Sequence, residues 1–356
     1  MAPPGFVTKT GALVAKVAGL AFGYGLTNDI CDAYMFICRH FETDDKVYLF
    51  GFSRGAYTVR ALASMLHMYG LLPRDNDRLV PYAVRMMWAI NRLRKRGKPN
   101  ASRDARIKEY FRLAAQFKRT FSRRCPLHFV GVWDTVSSVG WFSSPVSLPF
   151  TGSNPDISIG RHAVAIDERR AFFRTNLWRR ATGPAMTGPK PGPKDMKQVW
   201  FPGVHCDVGG GYPECESGLS KLALEWMIAE AVGAGLIVDT NAVELVLGRR
   251  GKKYAQPDPN APRHESLTRW WRPVEYLPRP HWDQNLEKSE WRANHMHPRS
   301  WPAKPVVHDA AWQRDNGTYA ACLPKDAIPL SQAEQRPGLT AEFDVGQSTV
   351  AAGYSS

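Results

Sequence analysis

The chain reads as an α/β protein with a mainly parallel sheet flanked by helices, on three observations. Amphipathic helical patterns alternate with short, wholly apolar runs; several of those runs end at residues with chemistry; and one opens onto GFSRG, a serine between two glycines just before a helix. Composition agrees: 356 residues, 44% hydrophobic and 22% charged, make a globular chain with room for a large core, which excludes a disordered or fibrous class. The net charge of +14 implies attraction to anionic surfaces such as lipid headgroups.

Taken in order, the first stretch, MAPPGFVTKTGALVAKVAGLAFGYG, is broken by Lys16 and several glycines. It is too short and interrupted to span a bilayer or act as a signal peptide, so the cytoplasm is the expected starting compartment. The six cysteines (Cys31, Cys38, Cys125, Cys206, Cys215, Cys322) form no CxxC pair, which predicts reduced thiols and no zinc site. From Thr27 to Phe41, apolar Ile30, Tyr34, Ile37, Cys38 and Phe41 recur at helical spacing behind a Thr27/Asn28/Asp29 cap. After a turn at Glu42–Asp45, Val47–Phe50 has the continuous apolar character of a central parallel strand covered on both faces. Ala56–Tyr69 then reads as a helix closed by Gly70.

The order strand, GFSRG, helix is that of a nucleophile elbow. There Ser53 sits in a strained turn, and Gly51 and Gly55 are required because side chains would strike the crossing backbones. The Arg54 backbone N–H, at the start of the next helix, is then one oxyanion donor. A glycine-rich turn with an incidental serine is the competing reading.

A serine nucleophile needs a base and a group to orient it. PLHFVGVWDTVSSVG offers a strand-like run from His128 to Trp133 ending at Asp134, and KQVWFPGVHCDVGGGY offers another from Val199 to Val204 ending at His205. Serine, aspartate and histidine thus follow in chain order at three successive strand ends, the order of α/β-hydrolases. Ser53 is assigned as nucleophile, His205 as general base and then acid, and Asp134 as the carboxylate that fixes the imidazole. Asp134 as a strand-end cap remains open, and Asp207 is the rival acid.

Residues 73–124 form a basic helical insertion or cap, with Ile107, Tyr110, Phe111, Ala114 and Phe117 at helical spacing; a packed helical excursion and a membrane-docking surface both fit. Arg161–Phe173 reads as a helix, TGPAMTGPKPGPKDM as a loop at the pocket rim, and Ser217–Gly233 as a helix. Residues 249–335 are a Trp/Pro-rich extension packed on a catalytic domain of residues 1–335, and 336–356 a mobile tail. His295 and His297 lack the companions a metal site needs.

The stretches GFSRGAYTVRAL, GVWDTVSSVG, RHAVAIDERRAFF and WFPGVHCDVGGGY, in this order, resemble an α/β-hydrolase domain family that includes type VI secretion phospholipase effectors. VVHDAAWQRDNGTYAACLP, with His308 and Arg314, is similar to that family's closing motif, though a serine usual shortly after this histidine is absent. The resemblance runs from about Gly25 to Pro324. It implies a Ser-Asp-His hydrolase fold, lipase or phospholipase A activity in some members and delivery by a secretion machine in some. It is carried onto Ser53, Asp134 and His205. A family-like opening strand with an Asp-Gly-Thr motif is not found upstream, so the first strands are expected to be missing, with the sheet completed by an upstream segment or a partner chain.

The sequence therefore predicts a serine ester hydrolase acting on a phospholipid acyl ester through an acyl-enzyme, needing neither metal nor organic cofactor. The alternatives are a catalytically incomplete, partner-completed module and an esterase for soluble esters. Nucleic acid is disfavoured as a partner, because no binding motif accompanies the charge.

Overall fold

The computed structural model describes residues 25–95, 100–136, 140–141, 144–146, 148–179, 192–269, 271–283 and 288–335. The opening stretch before residue 25, most of the Pro/Gly-rich loop and the tail from 336 lie outside them.

Helix α1 (Leu26–His40) leads into strand β1 (Val47–Phe52), then helices α2 (Arg54–Tyr69), α3 (Val80–Lys95) and α4 (Ala101–Phe121). Strands β2 (Leu127–Trp133), β3 (Ile157–Ala165) and β4 (Asp195–Phe201) follow, then a short helix α5 (His205–Gly209) and the longer α6 (Gly218–Gly233). Two short strands, β5 (Val306–Val307) and β6 (Ile328–Pro329), finish the main sheet. Its six strands lie in chain order and every pairing is parallel. All carboxyl ends therefore open on one rim, the place where parallel sheets present their chemistry. Ser53, Asp134, Asp167, His205 and His308 follow β1 to β5 there.

The alternation of side chains along the strands divides the core. Val130 and Val132 of β2 pack with α1 to α4, through Ile30, Tyr34, Ala61, Met65, Met87 and Ala114. Phe129, Ala163, Ala165, Val199 and Phe201 face α6, meeting Leu219, Ala223, Trp226 and Met227. Val164, Trp200 and Val307 point the other way, onto Leu177 and Tyr319. Each large side chain fully buried in these layers contributes about 1.5–3 kcal/mol.

Several expectations need correction. Helix α1 is capped at Gly25, with no side-chain cap from the Thr27/Asn28/Asp29 cluster. Strand β1 is at the edge of the described sheet, not central, and its residues are half-buried, with Phe50 39% exposed. Arg161–Phe173 is not a helix: its first residues complete β3, a strand lying between those of Asp134 and His205, so the three strand ends are not successive. A charged residue sits in this buried strand because Arg161 is paired with Asp195 Oδ2 at 2.7 Å and with Glu230. Strand β4 spans Asp195–Phe201, not Val199–Val204; the chain leaves it at Pro202, and His205 opens α5 instead of ending the strand. Among the described residues no helix is long and apolar enough to cross a membrane.

Candidate active site

Ser53 joins β1 to α2 with φ 58° and ψ −118°, a backbone conformation that costs a residue with a Cβ of order 1–3 kcal/mol. The strain is held by both flanks. Ser53 N–H donates to the Trp133 carbonyl at 3.0 Å, and Tyr57 N–H donates to the Ser53 carbonyl at 3.3 Å. Gly51 is obligatory here, since a Cβ on it would lie 2.5 Å from the Gly55 carbonyl oxygen. Gly55 is not: a Cβ there meets nothing within 4 Å, so only one of the two predicted glycines is sterically required.

His205 brings its ring to the serine. Its Nε2 lies 2.7 Å from Ser53 Oγ and its Nδ1 2.5 Å from Asp134 Oδ2. An ionised carboxylate only accepts, so Nδ1–H donates to Asp134 and Nε2 accepts from the serine hydroxyl. The imidazole is 3% exposed and lies between the rings of Phe52 and Phe173, at centroid distances of 4.6 and 4.7 Å. Gly209, which closes α5, leaves room for Phe52: a Cβ there would sit 1.9 Å from the ring. The His205 N–H donates to Glu168 Oε2 at 3.3 Å.

Asp134 is fully buried in a left-handed conformation, φ 38°. Its Oδ1 accepts from Ala165 N–H at 3.0 Å and Arg299 Nη1 at 2.5 Å; Oδ2 accepts from Arg299 Nη2 at 2.9 Å besides His205. Burial alone raises a carboxyl pKa, but the Arg299 guanidinium and His205 outweigh it and hold Asp134 well below the usual carboxylate range. Behind it, His162 Nε2 accepts the Thr135 N–H at 3.1 Å, and burial beside Arg60 pushes its pKa down to about 3, so it stays neutral.

Asp207, the rival acid, makes no hydrogen bond to the His205 ring. It accepts from Val204 N–H at 3.0 Å and from His264 Nδ1 at 2.6 Å and backbone N–H at 3.2 Å, bracing the loop. Arg54 is the first residue of α2, directly after the serine. His308 stacks on Phe201, and Arg314 donates to the Pro259 and Ala261 carbonyls, so the two closing-motif residues pack structure instead of joining the serine.

Sequence reasoning missed Arg299 and Glu168. Glu168, fully buried, accepts from Arg170 N–H, Nε and Nη2 at 2.8, 3.0 and 2.8 Å and from Ser266 Oγ. Burial works to raise its pKa, but Arg170 lowers it further. The only early signal was the Asp-Glu-Arg-Arg run itself. All six cysteines are unpaired, and among the described residues no cluster of His, Cys, Asp or Glu is placed to hold a metal ion.

A mainly parallel α/β sheet thus brings a serine, a histidine and an aspartate into contact at its carboxyl rim. The chain belongs to the type VI secretion phospholipase effector family described as Tle1-like, whose catalytic-domain model matches residues 4–230. The chain is also similar to an uncharacterized protein, YEL023C, of Saccharomyces cerevisiae, 37% identical over 156 residues, covering 43% of this chain and 21% of that one. A crystal structure of an uncharacterized protein from Pseudomonas aeruginosa is 22% identical, with a TM-score of 0.36, over 59% of this chain and 27% of that one. The chain thus spans about a quarter of the length of these relatives.

Proposed function

We propose that the protein is a serine ester hydrolase of α/β-hydrolase type that removes acyl chains from phospholipids, as a phospholipase A or lipase. The observation that carries this is the continuous hydrogen-bonded line Ser53 Oγ, His205, Asp134, with contacts of 2.7 and 2.5 Å, on a strained strand-to-helix turn. Ser53 Oγ attacks the ester carbonyl as His205 Nε2 takes its proton. The Arg54 backbone N–H, at the positive end of α2, stabilises the oxyanion. The tetrahedral adduct collapses, His205 gives its proton to the departing alcohol, and the acyl group stays on Ser53. Water, deprotonated by His205, then releases the fatty acid and restores the serine.

The insertion is assigned a membrane-surface role. Residues 73–124 hold sixteen of the 47 basic and four of the 33 acidic residues, so +12 of the +14 net charge sits there. Arg85 and Arg92 on α3, and Lys108, Arg112 and Arg119 on α4, are exposed and spaced to share faces of their helices. Delivery by a secretion machine is proposed with it, on the strength of the type VI secretion effector family. A second reading, that an upstream segment or partner chain completes the sheet before the enzyme works, is favoured by the half-exposed edge position of β1.

The test is fatty-acid release from mixed-chain phospholipid vesicles by the purified chain beside Ser53→Ala and His205→Ala, each checked for folding. Release lost in both variants supports the serine mechanism. Turnover of soluble esters alone replaces the lipid assignment, and a folded but inert wild type moves the assignment to the partner-completed reading.

A further inference from the structure

Asp134 is met by more positive charge than orienting a histidine requires. Backbone N–H donors suffice to fix a carboxylate, and Ala165 N–H already supplies one at 3.0 Å. Yet Arg299 adds a two-pronged contact, Nη1 to Oδ1 at 2.5 Å and Nη2 to Oδ2 at 2.9 Å. The pair is out of water, the side chains being 8% and 0% exposed, so solvent and salt screen it weakly.

The arginine is itself pinned. Nη1 also donates to the Ala165 carbonyl at 3.0 Å and Nη2 to the Phe173 carbonyl. The segment that delivers it is stapled down: Asn294 Nδ2 donates to the Arg169 carbonyl at 2.9 Å and to Glu275 Oε2 at 2.8 Å, and Arg169 Nε donates to the Met296 carbonyl at 3.0 Å. One guanidinium therefore ties the loop after β2, the loop after β3 and the C-terminal segment to a single carboxylate.

We propose that Arg299 is a positioning residue of the Ser53, His205, Asp134 network, which holds Asp134 in register while cancelling part of the charge that favours a protonated His205, and so extends activity to lower pH. This rests on the hydrolase reading of that network. A lone buried carboxylate stabilises the imidazolium it touches. One paired to a guanidinium orients the ring as well but attracts its second proton less, so the base stays competent further into acid.

The other charged or titratable groups packed around the histidine do not reproduce this. Glu168 meets its backbone N–H and is neutralised by Arg170, whose guanidinium also lies over Phe173. His162 stays neutral behind Asp134. Asp207 is spent on His264, burial pushes the Cys206 thiol up so that it stays protonated, and Arg54 begins α2 beyond the serine.

The experiment compares wild type with Arg299→Gln, Arg299→Met and Arg299→Lys, folding checked by thermal unfolding. Two readouts are followed against pH: the rate of Ser53 modification by a fluorophosphonate, and the histidine NMR signals of 15N-labelled protein, with the His205 signals assigned by His205→Gln. In the glutamine and methionine variants the acid limb of modification, and with it the His205 transition, moves up by about one pH unit, while the maximal rate falls about tenfold or more. The lysine variant keeps the charge and loses the fork, so its limb stays in place while its maximum falls. A folded glutamine or methionine variant whose limb and His205 signals stay put overturns the proposal, whatever its rate. If neither folds, a lysine variant with wild-type maximal rate overturns it. A wild type that is never modified refutes the nucleophile, and the NMR arm, which needs no reaction, still decides Arg299.

Discussion

Two histidine–aspartate pairs meet where His205 and Asp207 stand two residues apart, and only the first of them reaches a serine hydroxyl. In the first, His205 Nδ1 reaches Asp134 and its Nε2 reaches Ser53 Oγ, a neutral hydroxyl. In the second, His264 Nδ1 reaches Asp207 at 2.6 Å, but its Nε2 meets Glu216 at 2.9 Å, and Tyr212 stacks on the ring at 3.5 Å. A carboxylate at both nitrogens makes His264 a cation clamp. Desolvation works against its charge, but Glu216 and Asp207 prevail and its pKa rises. The difference lies in the third partner: an imidazole can accept a proton only where one nitrogen is left to a group that gives it up.

That contrast can be broken in stages. Ser53→Ala and His205→Ala should each lower kcat about 10⁴-fold or more at unchanged thermal stability, measured by lipid hydrolysis. Asp134→Asn should lower it about 10³–10⁴-fold by favouring the wrong tautomer, with the fold intact by circular dichroism. Asp207→Asn should leave kcat within a few-fold and cost about 1–3 kcal/mol of stability by denaturant titration, because it loses charge-assisted bonds to His264; a loss as deep as that of Asp134→Asn would make Asp207 the acid. Smallest is His264→Gln. A raised histidine pKa stabilises the fold fully below the ordinary value and loses this as pH climbs through the folded value. The wild-type advantage in Tm should thus be largest near about pH 6 and shrink by about pH 9. A gap that grows with pH would reverse the assignment of His264 as a protonated clamp.

The parts of the site that were legible in sequence are local ones. Ser53 is announced by its own strand, turn and helix, and Asp134 and His205 by the strands that deliver them. Strand β3 was misread because RHAVAI, buried on both faces, loses the alternation that marks a strand, and its Arg161 and His162 imitate a polar helix face. Only the partners Asp195, Glu230 and Gln198, from other elements, explain them. Arg299 was illegible for a different reason: it meets Asp134 across 165 positions, and nothing in HPRSWP distinguishes that arginine from the many exposed ones. The same limit hid the edge position of β1, since an apolar run records that a strand is covered but not how many neighbours it has.

The ring of Phe52 seated against Gly209 has a consequence for how the site can vary. Phe52 immediately precedes Ser53, and Gly209 ends the helix that begins with His205, so one aromatic face spaces the two loops like a shim. Change at either position is then not independent. A methyl at 209 is admissible only beside a smaller residue at 52, and the pair should exchange together or not at all in any functional library drawn from this scaffold.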